Sequence, residues 1–318
     1  MIKQKIIVVT GPTATGKTAL GVLIAEKLNG EVVSADSMQI YKYMDIGTAK
    51  PTADEMRGIV HHMIDIILPW EEYSVARYVK DASQCIDDIL SRGKQPILVG
   101  GSGLYIDSLI AGREFLVRSK SGHRQSLEDE YEKVGAEAML RKLREVDPDS
   151  AAKLHANDKK RIVRALEAFL VTGKPLSLHD MESKAHTPRY EAIKFALSYA
   201  DRSSLYARIN HRVDEMLRGG LENEVRSLLD MKISRSCTAM QAIGYKEIVD
   251  AISNESDIDD TVKIPTAVDR IKMESRRYAK RQLTWLRRDK DVNWIIRDGI
   301  PDTEHGAEMV MRKLYEAK

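Results

Sequence analysis

The chain has 318 residues, 43% of them apolar and 31% charged, against an ordinary charged share of roughly 25%. At about 150 residues per domain this implies two structural units or one core with a large insertion, and it excludes intrinsic disorder as the main state. Fifty basic against forty-eight acidic residues leave a net charge of +2, so the class of partner has to be read from local charge. Two cysteines, Cys85 and Cys237, fit neither a disulfide framework nor a CxxC metal site and point to a reducing, cytoplasmic setting. A strand-like run from Lys5 leaves no room for a signal peptide, and no apolar stretch approaches the ~20 residues of a membrane span.

Ile6 to Val9 reads as a buried strand, followed by a glycine-rich turn and a helix from Thr18 to Leu28, apolar at Leu20, Leu23, Ile24 and Leu28. Further strands are expected at Glu31–Ser34, at Met63–Ile66 and at Pro96–Val99, with a helix from Val75 to Leu90. Such alternation predicts an α/β fold with a P-loop-type parallel sheet, covered by helices on both faces. From about Phe115 to Lys184 the strand signal disappears. Helices are expected at Glu128–Leu143 and Lys159–Val171, the latter closed by Gly173. A strand returns at Ala192–Tyr199, and helices follow at Ile209–Leu217, Glu222–Leu229 and Pro265–Leu286. The acidic run Asp257–Asp260 reads as a solvated loop. This gives a P-loop α/β core over 1–114, an all-helical insertion over 115–187, and completion of the core with basic helices over 188–318.

Between the first strand and helix lies Gly11-Pro12-Thr13-Ala14-Thr15-Gly16-Lys17-Thr18, which fits G-x-x-x-x-G-K-[ST]. Glycines let the backbone wrap a phosphate, successive N–H groups point inward, and the helix N-terminus adds positive potential. Lys17 reaches the terminal phosphates, and the Thr18 hydroxyl can ligate Mg2+. The loop calls for a di- or triphosphate without saying what is attached to it. Hydrolytic switching is poorly supported, because the fourth strand runs into Gly100-Gly101-Ser102-Gly103 with no carboxylate at its end. The second strand does end in one, in Ser34-Ala35-Asp36-Ser37-Met38-Gln39. Strand carboxyl ends open onto the ligand crevice, so Asp36 and the Ser102 hydroxyl should face the phosphate loop. The plain alternatives are an aspartate capping a turn and a tight strand-to-helix connection.

Nine basic residues lie between Arg270 and Lys290 against two acidic ones, Glu274 and Asp289. Tyr278 and Trp285 interleave with them and read as core rather than as base-stacking residues. Lys159, Lys160, Arg161 and Arg164 form a second basic cluster, and Arg118, Lys120 and Arg124 a third. In a near-neutral chain this segregation is the footprint expected of a phosphate backbone. A solvated helix face is the alternative for any one cluster. A small-molecule kinase and a nucleotide-gated RNA-binding module remain open on these residues.

Nearly end to end, the chain resembles the bacterial tRNA dimethylallyltransferases (isopentenyltransferases). The resemblance is carried by Gly11–Thr18, Asp36–Gln39, Met44–Pro51, His61-His62 and Gly100–Tyr105. It continues through Asn157-Asp158-x-x-Arg161-x-x-Arg164-Ala165-Leu166-Glu167 and Thr172–Pro175. Later blocks are Ile209-Asn210-x-Arg212-Val213-Asp214, Ile243–Glu247 and Lys280-Arg281-Gln282-x-Thr284-Trp285. Ser102 and Thr15 depart from the family's usual threonine and serine while keeping the hydroxyl.

The resemblance implies transfer of the dimethylallyl group of dimethylallyl diphosphate to the exocyclic N6 amine of the adenosine 3′ of the anticodon, with diphosphate released. Gly11 to Thr18 and Arg212 would bind the diphosphate, with Mg2+ on Thr18. Asp36 would act as general base and Ser102 would orient base or diphosphate. The tRNA anticodon stem-loop would be held by Asp36, Ser37, Met38, Gln39 and Ser102, by Arg124, Lys160, Arg161 and Arg164 of the insertion, and by Gly244, Tyr245, Lys246 and Arg281. No membrane partner is implied, and a monomer is expected.

Overall fold

Unbroken runs of isoleucine and valine build the centre of the protein. In the computed structural model, which describes residues 4–113, 115, 122–185, 187–253, 260–300 and 302–316, they form six parallel strands: β1 (Gln4–Thr10), β2 (Gly30–Ser34), β3 (His61–His62), β4 (Gln95–Val99), β5 (Tyr190–Ser198) and β6 (Asn293–Ile296). Their order across the sheet is β3-β2-β4-β1-β5-β6. Ile6 to Val9 are buried on both faces, as a sheet sandwiched between helices requires. On one face the helix Lys17–Lys27 packs Leu20, Leu23 and Ile24 against Ile97, Val99 and the last helix, Thr303–Glu316, through Ala307 and Val310. Elsewhere in this unit Tyr78, from the helix Val75–Ser91, stacks on Tyr105 with ring centres 4.0 Å apart. Its hydroxyl donates to the Ser34 carbonyl at 3.0 Å.

The chain divides into two compact units, one of Met1–Ile110 with Arg189–Lys318 and one of Ala111–Pro188. Among its described residues the second unit contains helices and no strand. Met139, Leu143, Ile162 and Val163 form its core. The expected single helix over 128–143 is two, His123–Val134 and Ala136–Val146, because Gly135 at φ +86° breaks the run. The helix Lys159–Thr172 ends on Gly173 in the left-handed region, as Gly past a last turn foretells.

In the first unit the third strand is displaced. It is His61–His62, and Met63 and Asp65 instead take left-handed φ values of 65° and 55°, which no strand accommodates. The expected helix over 209–217 is the second half of Arg202–Arg218. Leu221–Asp230 and Tyr245–Ser253 follow. The long helix Asp260–Leu286 begins before Pro265 and carries it inside its first turns. Of the acidic run, only Asp260 falls within the described residues, and it opens this helix. Arg118 and Lys120 lie outside them.

Candidate active site

Gly11 takes φ +142°, and a Cβ there would lie 2.4 Å from the Leu197 carbonyl oxygen of β5, so only glycine lets the chain leave β1 in this direction. The loop then tightens on itself, with the Thr15 hydroxyl donating to the Pro12 carbonyl at 2.8 Å. Gly16 precedes the helix Lys17–Lys27 without a side-chain cap. Among the described residues no acceptor engages the backbone N–H groups of Ala14 to Thr18. A ring of free donors at a helix N-terminus is an anion cradle. Lys17 folds back to donate to the Pro12 carbonyl at 2.7 Å. Burial, reinforced by the Arg212 charge and opposed by Asp36, lowers its pKa to about 7.

Asp36 follows β2, held there because the amide of Ala35 donates to Val99 at 2.7 Å and that of Ser102 donates to Ala35 at 3.1 Å. Its Oδ1 accepts from the amides of Met38 (2.8 Å) and Gln39 (3.4 Å). Oδ2 makes no hydrogen bond to the described residues. One oxygen thus caps the turn while the other is available to a ligand. Two adjoining cavities, of about 280 and 70 Å³, share Thr13, Asp36, Thr48, Arg212 and Tyr278 as walls. The larger is apolar on one side, through Ile209, Val213, Met216, Ala242 and Ile271. The smaller holds Lys17, Thr18, Gln39 and His61. Arg212 reaches both from the helix Arg202–Arg218, and burial lowers its pKa against the pull of Asp36. Phosphate loop, Asp36 and Arg212 are therefore one site, spanning a polar end and an apolar end.

Other expected residues have different surroundings. The Ser102 hydroxyl accepts from the Ser37 amide at 3.1 Å and donates to the Ser37 hydroxyl at 3.4 Å, so it sets the Asp36–Gln39 turn from behind. The Gln39 carboxamide is engaged at both ends, accepting from Ser34 and donating to the carbonyls of Thr48 and Ala49. It fastens the 44–50 segment instead of presenting its amide to a base. Tyr245 is 0% exposed, its ring packed on Gly47, where a Cβ would sit 2.4 Å away. Its neighbour Gly244 takes φ +99°, and Lys246 is exposed. Tyr278 departs from its expected place in the core. It lines both cavities, with the Arg281 guanidinium 5.6 Å from its ring centre. Burial, and after it the charge of Asp36, pushes its pKa up to about 12. Trp285 is partly buried, as expected, and its indole donates to Asp107 at 3.0 Å.

Three residues of the site escaped sequence reading. Glu224 accepts from the amides of Asp45, Ile46 and Gly47 at 2.8, 2.8 and 3.1 Å, and from the Tyr245 hydroxyl at 2.5 Å. It anchors the segment that supplies Gly47 and Thr48 to the cavities. His61 donates from Nδ1 to the Ile59 carbonyl at 2.9 Å, which leaves Nε2 as a buried acceptor without a partner among the described residues. Gln282 joins the phosphate loop to the Gly100–Ser102 turn. Only Gln282 and His61 lay inside quoted motifs, and nothing local to Glu224 signals its role.

Of the nine basic residues between 270 and 290, Lys272 and Arg276 serve internal packing, bonding Asp214 and Asn210 at 2.6 Å each. Arg270, Lys280, Arg281, Arg287, Arg288 and Lys290 are exposed. In the second unit Lys160, Arg161 and Arg164 border one cleft with Leu176 and Met181. Arg124 there pairs with Glu128 at 3.1 Å and Glu167 at 3.8 Å. Among the described residues no helix is long and apolar enough to cross a membrane, and no cluster of three or more His, Cys, Asp or Glu could hold a metal ion by itself.

The IPP transferase family model matches residues 39–289, and the isopentenyl transferase model matches residues 4–67. The tRNA dimethylallyltransferase of Acetivibrio thermocellus is 48% identical over 302 residues, covering 95% of this chain and 94% of that one. Among solved structures, the tRNA Δ2-isopentenylpyrophosphate transferase of Staphylococcus epidermidis is similar with a TM-score of 0.71 at 38% identity, covering 99% of this chain and all of that one. A eukaryotic dimethylallyltransferase acting on tRNA is similar with a TM-score of 0.75 at 33% identity, covering 89% of this chain and 70% of its own.

Proposed function

The chain belongs to the IPP transferase family, and from that membership and its paired cavities we propose that it alkylates tRNA. It transfers the dimethylallyl group of dimethylallyl diphosphate to the N6 amine of the adenosine 3′ of the anticodon. The observation that carries this reading is the junction at Asp36: a phosphate cradle on one side, an apolar chamber on the other, and a carboxylate oxygen free between them. The cradle suits the diphosphate and the chamber its five-carbon tail.

The adenine amine is a weak nucleophile because its lone pair is delocalised into the ring. The donor must therefore be made electrophilic while a proton is removed. As the allylic C–O bond breaks and the C–N bond forms, negative charge grows on the leaving diphosphate. The amides of Ala14 to Thr18, with Lys17 and Arg212, are set to stabilise it, and donors fixed in advance cost no reorganisation. Asp36 Oδ2 takes the amine proton and passes it to solvent, so the products are diphosphate, N6-alkylated adenosine and one proton. An adenine stacked in its loop cannot reach this depth and has to be turned out into the cleft.

A magnesium ion fits the residues present. Thr18, on the wall of the smaller cavity, offers a hydroxyl, a hard ligand for an ion that keeps waters and takes its remaining oxygens from phosphates. When bound it would neutralise charge on the diphosphate. The exposed arginines and lysines of the 270–290 stretch, and Lys160, Arg161 and Arg164, are suited to backbone phosphates. To test the reaction, the protein is incubated with tRNA, magnesium and labelled dimethylallyl diphosphate, and the RNA is digested to nucleosides. Label in an N6-alkyladenosine is expected. Label confined to the unreacted donor would refute the reading.

A further inference from the structure

Gln282 is 6% exposed, lies on the long helix and lines the smaller cavity beside the phosphate loop. Its Oε1 accepts from the Thr13 amide at 2.9 Å and its Nε2 donates to the Gly101 carbonyl at 3.1 Å. Thr13 sits in the loop after β1, and Gly101 in the turn after β4, the strand paired with β1. One planar carboxamide thus spans the two connections that carry the cradle and Ser102. A Cβ at Gly101 would stand 2.1 Å from Nε2, so any side chain there would have to displace the carboxamide. One helical turn on, Trp285 lies so close to Gly103 that a Cβ there would be 2.3 Å from its ring, and its indole is tied to Asp107. Tyr278, Arg281, Gln282 and Trp285 are spaced i, i+3, i+4, i+7 and form one face of the helix.

We propose that Gln282 is a positioning residue that fixes the separation between the phosphate loop and the Ser102 turn, so that the leaving diphosphate and the Asp36-bound amine stay aligned. This rests on the transfer reaction argued above. The Thr13 amide belongs to the scaffold, and the amides of Ala14 to Thr18 belong to the ligand. A side chain lacking either the acceptor or the donor leaves a buried amide or carbonyl unpaired, and the two connections then settle independently.

Gln282→Met keeps length and volume without hydrogen bonds, whereas Gln282→Glu keeps the acceptor alone. Single-turnover transfer at saturating donor and tRNA is expected to fall about 100-fold in the first, the size of effect that a misplacement of about 1 Å produces, with tRNA affinity unchanged. Combined with Ser102→Ala, the loss should be no greater than that of the worse single variant, because both act on one turn. A wild-type rate in Gln282→Met, or losses that multiply in the pair, would overturn the proposal. If Gln282→Met does not fold, Gln282→Glu with Ser102→Ala completes the same cycle. Hydrogen exchange separates this role from the reaction itself. The Thr13 amide should stay protected in the wild type with or without inorganic diphosphate and lose protection in Gln282→Met. Protection of the Thr13 amide regained in Gln282→Met on adding inorganic diphosphate would mean that the ligand takes this amide, against the proposal. Failure of the wild type to label tRNA would strike the reaction alone.

Discussion

Lys17 is pulled two ways. Burial and the neighbouring Arg212 disfavour its charge, Asp36 favours it, and the outcome is a pKa of about 7 against 10.5 for an ordinary lysine. Because the folded value is the lower one, the charged lysine costs stability fully below pH about 7, and that cost vanishes as pH rises past the unfolded value. A diphosphate bound as proposed would reverse the balance and draw the proton back. Calorimetry at pH 8 in buffers of different ionisation enthalpy should therefore show net proton uptake on diphosphate binding, fading towards pH 6, where the amine is already charged. Lys17→Met should remove the uptake, and uptake surviving that change would place the proton elsewhere. At Asp36 the decisive variant is Asn, which keeps an acceptor for the Met38 amide but cannot take a proton. Turnover should fall by about 10²–10⁴-fold, the usual worth of a general base, while tRNA affinity, measured by filter binding, holds.

Among the elements, the 44–50 segment shows how far apart in sequence a wall and its support can lie. Glu224 holds it by three amides from about 180 residues away, and Gly47 must lack a Cβ for Tyr245 to reach it. Gly47→Ala should cost about 1–3 kcal/mol in urea unfolding, as overpacking against a rigid ring does, and raise KM for tRNA. An unchanged midpoint would mean that the segment is not clamped. These are the features a single sequence hides. Strand runs such as Ile6–Val9, the phosphate loop and the Gly173 stop were legible because their signals are local. The displaced third strand was not, since Met63 and Ile64 look apolar enough while the left-handed turns at Met63 and Asp65 leave no such mark. Asp36 was legible from its place at a strand end. Glu224, Gln282 and the cleft position of Tyr278 needed the folded chain, because their partners are set by packing between distant elements. Pro265 misled because only its surroundings show that it is tolerated inside the helix.

On the scale of the whole molecule, the sheet edge is pinned by Glu31, which is 2% exposed and meets Arg92 at 2.5 Å, Lys94 at 2.7 Å and His62 at 2.7 Å. Its hydrogen bonds to Arg92, and beyond them those to Lys94 and His62, hold its carboxyl well below the usual carboxylate range against the opposing effect of burial. A depressed carboxylate stabilises above its unfolded value and loses that contribution as pH falls. Glu31→Gln should therefore cost about 2 kcal/mol at neutral pH, with the gap to the wild type constant down to pH about 5 and closing below it. A gap independent of pH would assign the loss to packing. The proposed chemistry of the whole site requires the cradle to hold a leaving group and not a phosphoryl donor. Its most direct measurement is stoichiometry: inorganic diphosphate released against N6-alkyladenosine formed, from the same reaction, with and without a nucleoside triphosphate. We expect one diphosphate for each adenosine alkylated and no dependence on triphosphate. Diphosphate released without alkylated adenosine, or product formed only when a triphosphate is cleaved, would contradict the account.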